Sequence, residues 1–306
     1  MSIQETPTLM TGIFAVVQAV VLLLLTPLFT GISRQIRAKM HSRQGPGIWQ
    51  DYRDIIKLMT RQSVAPRDSG IIFRIMPYVL LSSMLLLAMA LPVVTNTSLF
   101  SGAADIIIVL YIFALFRFFF SLSGLDTGSP FAGIGASREL TLGVLVEPTL
   151  FLGLLVVALI AGSTNIGTIS ATMSEGWVSP TATLLALLAC GFATFIEMGK
   201  IPFDVAEAEQ ELQEGPLTEY SGSGFAMVKL GIGLKQVVVA VLFLSIFFPF
   251  GNASVFTVGG VLLAMGLLLV KLLVIFVLAS LVENSLARGR FLLTHHVTWL
   301  GFGVAA

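Results

Sequence analysis

Seven stretches of this chain are each apolar for about the length that a bilayer demands. A helix needs about 20 such residues, with a range of roughly 17 to 25, to cross the hydrocarbon core. Residues 12–32, 75–94, 105–123, 140–161, 182–198, 231–250 and 258–282 meet that length, and an eighth run, 292–306, reads as a last span that is short or cut off. Backbone groups in lipid must be satisfied internally, so repeated crossings dictate helices. The expectation is an all-α fold: a polytopic integral membrane helix bundle with about eight transmembrane helices, forming one transmembrane domain over residues 1–306. Composition agrees, since 11% of residues are charged against about 25% in an ordinary soluble domain. The first run has no basic leader and no cleavage motif, and reads as a retained span.

The cations predict which side each connection faces. Residues 33–74 carry nine Lys/Arg, whereas 95–104, 162–181, 251–257 and the N-terminal tail carry none. Arg117 and Arg138 flank the third connection, Lys200, Lys229 and Lys235 flank the fifth, and Arg288 and Arg290 lie in the seventh. Short loops rich in Lys and Arg stay cytoplasmic. The odd-numbered connections are therefore expected inside, with the N-terminus outside.

The fifth connection is unlike any other. Residues 197–219, EMGKIPFDVAEAEQELQEGPLTE, hold seven carboxylates and one cation. Pro202 ends the preceding helix, and Asp204 with Glu207 three residues on has capping-box spacing. A helix from Asp204 to about Gln213 is expected, stopped at Gly215-Pro216. Such a helix would bring Asp204, Glu207, Glu211 and Glu214 within about 80° on the wheel. Like charges so spaced destabilise a helix. Either a partner supplies cations, or some of these groups take up protons, or the stripe is merely wet.

Other features bear on the same side. Trp49, Tyr52, Ile55, Ile56 and Met59 recur at helical spacing opposite Asp51, Asp54 and Lys57, which predicts an amphipathic helix along the interface or under a partner. A charge at the bilayer centre costs at least ~2.5 kcal/mol. Arg117 and Lys235, read as lying near cytoplasmic ends, can snorkel. Glu147 followed by Pro148, Glu197 at the end of a span, Lys271 in mid-span and Glu283 are candidates for proton handling. Lys271 is the candidate cation for a largely buried Glu147. One cysteine, three scattered histidines and no phosphate-binding glycine loop offer no metal, haem, nucleotide or flavin site.

Long motifs then resemble a known family. Residues 129–147, SPFAGIGASRELTLGVLVE, are similar to the S-K-Y-A-x-x-G-A-x-R…Y-E pattern of the H-type membrane subunit of respiratory complex I. Residues 197–222 resemble that subunit's E-x-N-R-x-P-F-D-L-x-E-x-E-x-E…E-Y-S-G, with Asp204, Glu207, Glu209, Glu211, Glu219 and Tyr220 in register. Arg43-Gln44-Gly45-Pro46 and Asp54-Ile55-Ile56-Lys57-Leu58 match its first cytoplasmic loop. The likeness is closer still to the membrane subunits of formate hydrogenlyase and hydrogenase-4, nickel–iron hydrogenases related to complex I. Lys200 stands where the quinone-reducing branch has arginine, Glu139 where a small residue is usual, and Glu283-Asn284 replaces a Trp-Arg-like pair. These departures weigh against a quinone chamber.

What the resemblance implies is a non-redox membrane anchor in the bacterial inner membrane, with a periplasmic N-terminus and no cofactor of its own. Its expected partners are an iron–sulfur subunit with 4Fe–4S clusters, a nickel–iron large subunit and antiporter-like membrane subunits. Together with the charges placed in the spans above, it points to a proton or sodium path through Glu147, Glu197, Asp204, Glu207, Glu209, Glu211, Lys271 and Glu283. Docking falls to Arg43, Gly45, Pro46, Asp54, Lys57, Arg138, Glu214, Glu219 and Tyr220. The alternatives are a quinone-site subunit of a complex I-type dehydrogenase and a stand-alone secondary transporter. The latter would show two corresponding halves with interrupted helices, and no such repeat is present. Nothing in the chain suggests nucleic acid.

Overall fold

The structure is a computed structural model, and it describes residues 8–95, 98, 100, 102–253, 258–287 and 294–306. Eleven α-helices follow one another among these residues. They are α1 (Thr8–Met40), α2 (Gln50–Met59), α3 (Ile71–Ala90), α4 (Ile106–Asp126), α5 (Pro130–Ala161) and α6 (Ile166–Glu175), then α7 (Pro180–Glu197), α8 (Glu209–Leu212), α9 (Gly222–Phe247), α10 (Val258–Ser285) and α11 (Thr294–Ala305). Seven of them, α1, α3, α4, α5, α7, α9 and α10, are long and apolar enough to cross a membrane. The chain is an all-α, multi-pass membrane protein. At 1.5 Å per residue, α11 reaches about 18 Å, too short to cross alone; it lies against α5 and α7.

The bundle is built around α9. That helix is buried over 78% of its apolar window, against 22% for the still more apolar α10. Helices α3, α7, α1 and α6 pack on α9, and α4 and α5 close the ring through α3 and α7. Leu80, Leu87, Val237, Val238 and Phe276 fill the core with no more than 2% exposure.

Helix ends differ from the hydropathy runs at informative places. Pro130 occupies the first turn of α5 after extended Ser129, a favoured start. The motif SPFAGIGASREL is therefore helical, and the third connection shrinks to residues 127–129. Likewise α1 continues to Met40 and α9 starts at Gly222. Hydropathy stops at Arg34, Arg138, Glu139 and Lys229, but the helices run through them. Between α5 and α7, Asn165 accepts from Gly167 N and Thr168 N and caps α6, an element the sequence reading lacked. Arg288 and Arg290 lie outside the described residues.

The expected acidic helix from Asp204 is absent. Residues 201–207 form turns, α8 has four residues, and Gly215–Leu217 is a single 3-10 turn. Asp204 gives its backbone carbonyl to Ala208 N at 2.9 Å where the reading had its side chain capping a helix. The reason lies in the apolar residues between the acids. Phe203, Val205, Ala206, Ala208, Leu212 and Leu217 are all buried, which no straight helix with one wet face allows. The segment folds down onto α5 instead. There Gly135 approaches so closely that a Cβ would sit 2.7 Å from Ala206 O, and a Cβ on Gly215 (φ +54) would sit 2.1 Å from the same oxygen.

Candidate functional site

Arg117 lies in the middle of α4 and is 5% exposed, at a depth from which it cannot snorkel. Each nitrogen finds a different carboxylate. Nε donates to Glu139 Oε1 at 3.1 Å, Nη1 donates to Glu147, and Nη2 donates to Glu197 Oε1 at 2.6 Å. Beyond Glu197, Lys235 of α9 brings Nζ within 2.9 Å of Oε2 as an ion pair and rests 5.3 Å from the Phe116 ring centroid. Three helices thus meet on one guanidinium, and a fourth joins through Glu197. Glu139, Gly143 and Glu147 recur every fourth residue along one face of α5. A Cβ on Gly143 would stand 2.5 Å from Arg117 Cδ, so glycine leaves the space in which the arginine crosses α5 between its two acids. Charges taken out of water need such complete pairing to be tolerated.

A chamber of about 330 Å³ opens between α1, α2, α9 and the acidic segment, and ten of its 21 wall residues are charged. At one wall Arg34 pairs with Asp51, which also accepts from Thr30 Oγ1 at 2.7 Å. At another, Arg37 pairs with Glu283, and Lys200 Nζ lies 3.8 Å from the same carboxylate. A smaller cavity, of about 60 Å³, lies between this chamber and the Arg117 cluster. Asp204, Glu207, Ile232, Gln236 and Gly199 line both spaces. Gln236 donates to Met198 O at 2.9 Å, while its buried Oε1 has no partner among the described residues. Water is the natural donor to it. Burial, and then the neighbouring acids Glu139, Asp204 and Glu214, push the Glu207 carboxyl up to about 7. Burial pulls the Lys200 ammonium below the usual lysine range, against the attraction of Glu283.

The candidate residues divide. Glu147 and Glu197 meet in the Arg117 cluster, whereas Asp204, Glu207, Glu214 and Glu283 line the chamber. Glu147 is not largely buried: its side chain keeps 35% exposure, beside the exposed Leu140, Val144 and Phe151 on the outer face of α5. Nor is Lys271 its partner. Lys271 Nζ donates to Phe248 O at 2.8 Å and to Phe250 O, where it satisfies carbonyls at the C-terminal end of α9. Glu209 opens α8, but its side chain lies outside the described ones. Glu211 is exposed and accepts from Arg138 Nη1 at 2.7 Å, an internal tie between α5 and α8.

Tyr220, expected on a docking surface, is buried at 8% exposure. Its ring stacks on Phe73 at 4.0 Å and its hydroxyl donates to Phe73 O, so it anchors the start of α9 to α3. Arg43, Pro46 and Lys57 are exposed, while Asp54 and Glu219 are half-buried. Half-buried Gly45 leaves no room for a Cβ, which would stand 2.4 Å from Ala38 Cβ, so it fits the loop against α1. The sequence reading missed Arg117, Lys235, Asp51 and Gln236 as site residues. The available signal was spacing: two acids and a glycine every fourth residue in α5 ask for a cation from a neighbouring helix. Among the described residues, no group of three or more His, Cys, Asp or Glu could hold a metal ion.

Comparison with known proteins agrees with this architecture. The NADH dehydrogenase family model matches residues 13–306. Hydrogenase-4 component C of Escherichia coli (strain K12) is 70% identical over 96% of this chain and 93% of its own length. Formate hydrogenlyase subunit 4 of the same strain is 57% identical over 97% of each. A solved structure of the membrane-bound sulfane sulfur reductase, an archaeal respiratory membrane complex, shares the fold with a TM-score of 0.83, at 23% identity and 97% coverage of both chains. With the helix order, the acidic segment and the relatives in agreement, this chain belongs to the NADH dehydrogenase family, among its hydrogenase-4 and formate hydrogenlyase membrane subunits.

Proposed function

We propose that this chain is the membrane-anchor and coupling subunit of a hydrogenase-4/formate hydrogenlyase-type complex. It is a non-redox part of a multi-subunit oxidoreductase. It docks the soluble iron–sulfur and nickel–iron subunits and links their electron transfer to movement of protons or sodium ions toward antiporter-like neighbours. The N-terminus faces the periplasm across the inner membrane, which puts α2 and the acidic segment on the cytoplasmic side with the soluble arm. The observation that carries the reading is the pair of cavities with Glu207 in their common wall. Together they make a polar route from an open chamber to acids in mid-bundle.

The chamber favours water and ions over a quinone. Small-molecule sites are mostly apolar with a few placed polar groups, whereas ten charged residues wall this one. Exposed Arg43 and Lys57 and the half-buried Asp54 and Glu219 form the docking surface with the acidic segment. The test uses the whole complex in sealed vesicles. Glu147→Gln should keep hydrogen formation with artificial electron donors, because the metal centres belong to other chains. Physiological turnover and proton movement should both fall. Coupled turnover at the normal rate would reduce Glu147 to a structural residue. Cysteine labelling checks the sidedness: residues placed at Gln62 and Gln213 should react only from the cytoplasmic face.

A further inference from the structure

Glu139 is placed between the two halves of the route. Its carboxylate accepts from Arg117 Nε at 3.1 Å on the cluster side. On the other side it lines the small cavity together with Glu207. We propose that Glu139 is the group that passes a proton between Glu207 and the Arg117 cluster, which rests on the coupling reading above. The cavity, about 60 Å³ in volume, has room for a few water molecules, and the partnerless Gln236 Oε1 gives one of them an acceptor. In the step, an O–H bond of the Glu207 carboxylic acid breaks and a water chain carries the proton. An O–H bond forms on the Glu139 carboxylate, so Glu207 gains one negative charge as Glu139 loses one. No electrons move.

Charged groups face this pair from every side. Arg117 reaches Glu139 from α4, Glu197 from α7 and Lys235 from α9, and Glu147 lies two turns along α5. Asp204 and Glu214 crowd Glu207 from the loop, and Lys200 reaches it from the chamber side. Glu197 also touches the guanidinium and lines the cavity with Glu207, but its other oxygen is held by Lys235 at 2.9 Å, whereas Glu139, paired with Arg117, keeps an oxygen to take the proton. Once Glu139 is neutral, Arg117 holds it less but keeps its bonds to Glu147 and Glu197. The proton has then entered the cluster.

The experiment compares Glu139→Gln, Glu139→Asp and Glu139→Ala in the assembled complex, scored as protons moved per turnover in sealed vesicles. Glutamine still accepts from Arg117 Nε but cannot take the proton. It should lower the ratio at least ~tenfold, with aspartate recovering part of it. A normal ratio for glutamine with a defective alanine variant would make Glu139 a mere prop for Arg117 and overturn the proposal. A second reading is independent of coupling: the infrared carboxyl band of Glu207, assigned with Glu207→Gln, followed against pH. In Glu139→Gln its titration should move to lower pH, because a neighbouring negative charge is gone. An unmoved midpoint would break the link between the two residues. A wild-type complex that moves no protons but shows the infrared shift would sink the coupling function and with it the transfer step, leaving the electrostatic link as the surviving observation.

Discussion

At the scale of single residues, the arginine with three acids dominates. Removing one partner of a buried charge set is worse than never having built it, by about 3–5 kcal/mol. Arg117→Leu, which strands Glu139 and Glu147 and leaves Glu197 to Lys235 alone, should lower the melting temperature of the complex more than any single acid-to-amide change. Gly143→Ala should act in the same direction by about 1–3 kcal/mol, since its methyl would enter space that Arg117 occupies. Glu207 supplies a pH signature. Its folded-state carboxyl lies near 7 against an ordinary 4.5. A carboxyl raised in this way contributes stability that is fully present below pH 4.5 and is lost as pH rises through 7. Glu207→Gln should therefore gain heat stability relative to wild type across that window and match it at the acid end, as a pH series of melting curves would reveal.

Among elements, the acidic segment is the most instructive, because its charge was legible and its shape was not. Seven carboxylates in 23 residues marked it as special, and Asp204, Glu207 and Glu214 do line the chamber. The capping-box spacing pointed to a helix, yet buried Phe203, Val205, Ala206 and Leu212 pull the backbone down onto α5. Local propensity yielded to tertiary burial. The helix ends misplaced at Arg138, Glu139 and Lys229 share one cause: hydropathy treats a charge as the edge of a span, whereas the helix runs on, with exposed Lys229 at the surface, Arg138 tied to exposed Glu211 and Glu139 paired inside the bundle with Arg117. The apolar runs themselves, seven of them, were legible because lipid leaves the backbone no alternative. Seating of the segment can be tested at its closest approach. Gly215→Ala sets a methyl against Ala206 O at a left-handed φ and should release the soluble subunits during purification. Gly133→Ala, on the same helix α5 with only Leu125 within 4.0 Å, should leave co-purification intact.

For the molecule as a whole, the balance between α9 and α10 decides what lipid and neighbours see. The buried α9 is the axle, and α10 shows most of its surface, with Leu262, Leu263, Val270 and Leu278 outward. The charge arithmetic at the axle has an electrical consequence. With all five groups ionised, Glu139, Glu147 and Glu197 set against Arg117 and Lys235 would leave one unit of negative charge around mid-α4. On the coupling reading proposed above, a site of that sign would seat one mobile cation, and the field across the membrane would act on whatever fills it. One charge crossing the whole field is worth about 2.3 kcal/mol per 100 mV, so a seat half-way feels roughly half of that. An imposed potential of about 100 mV should then change filling several-fold in either direction according to its sign. The chain would behave as a voltmeter as well as an anchor: hydrogen formation by vesicles clamped with potassium and valinomycin should follow the potential, and do so less steeply when Glu139→Gln brings the cluster to neutrality.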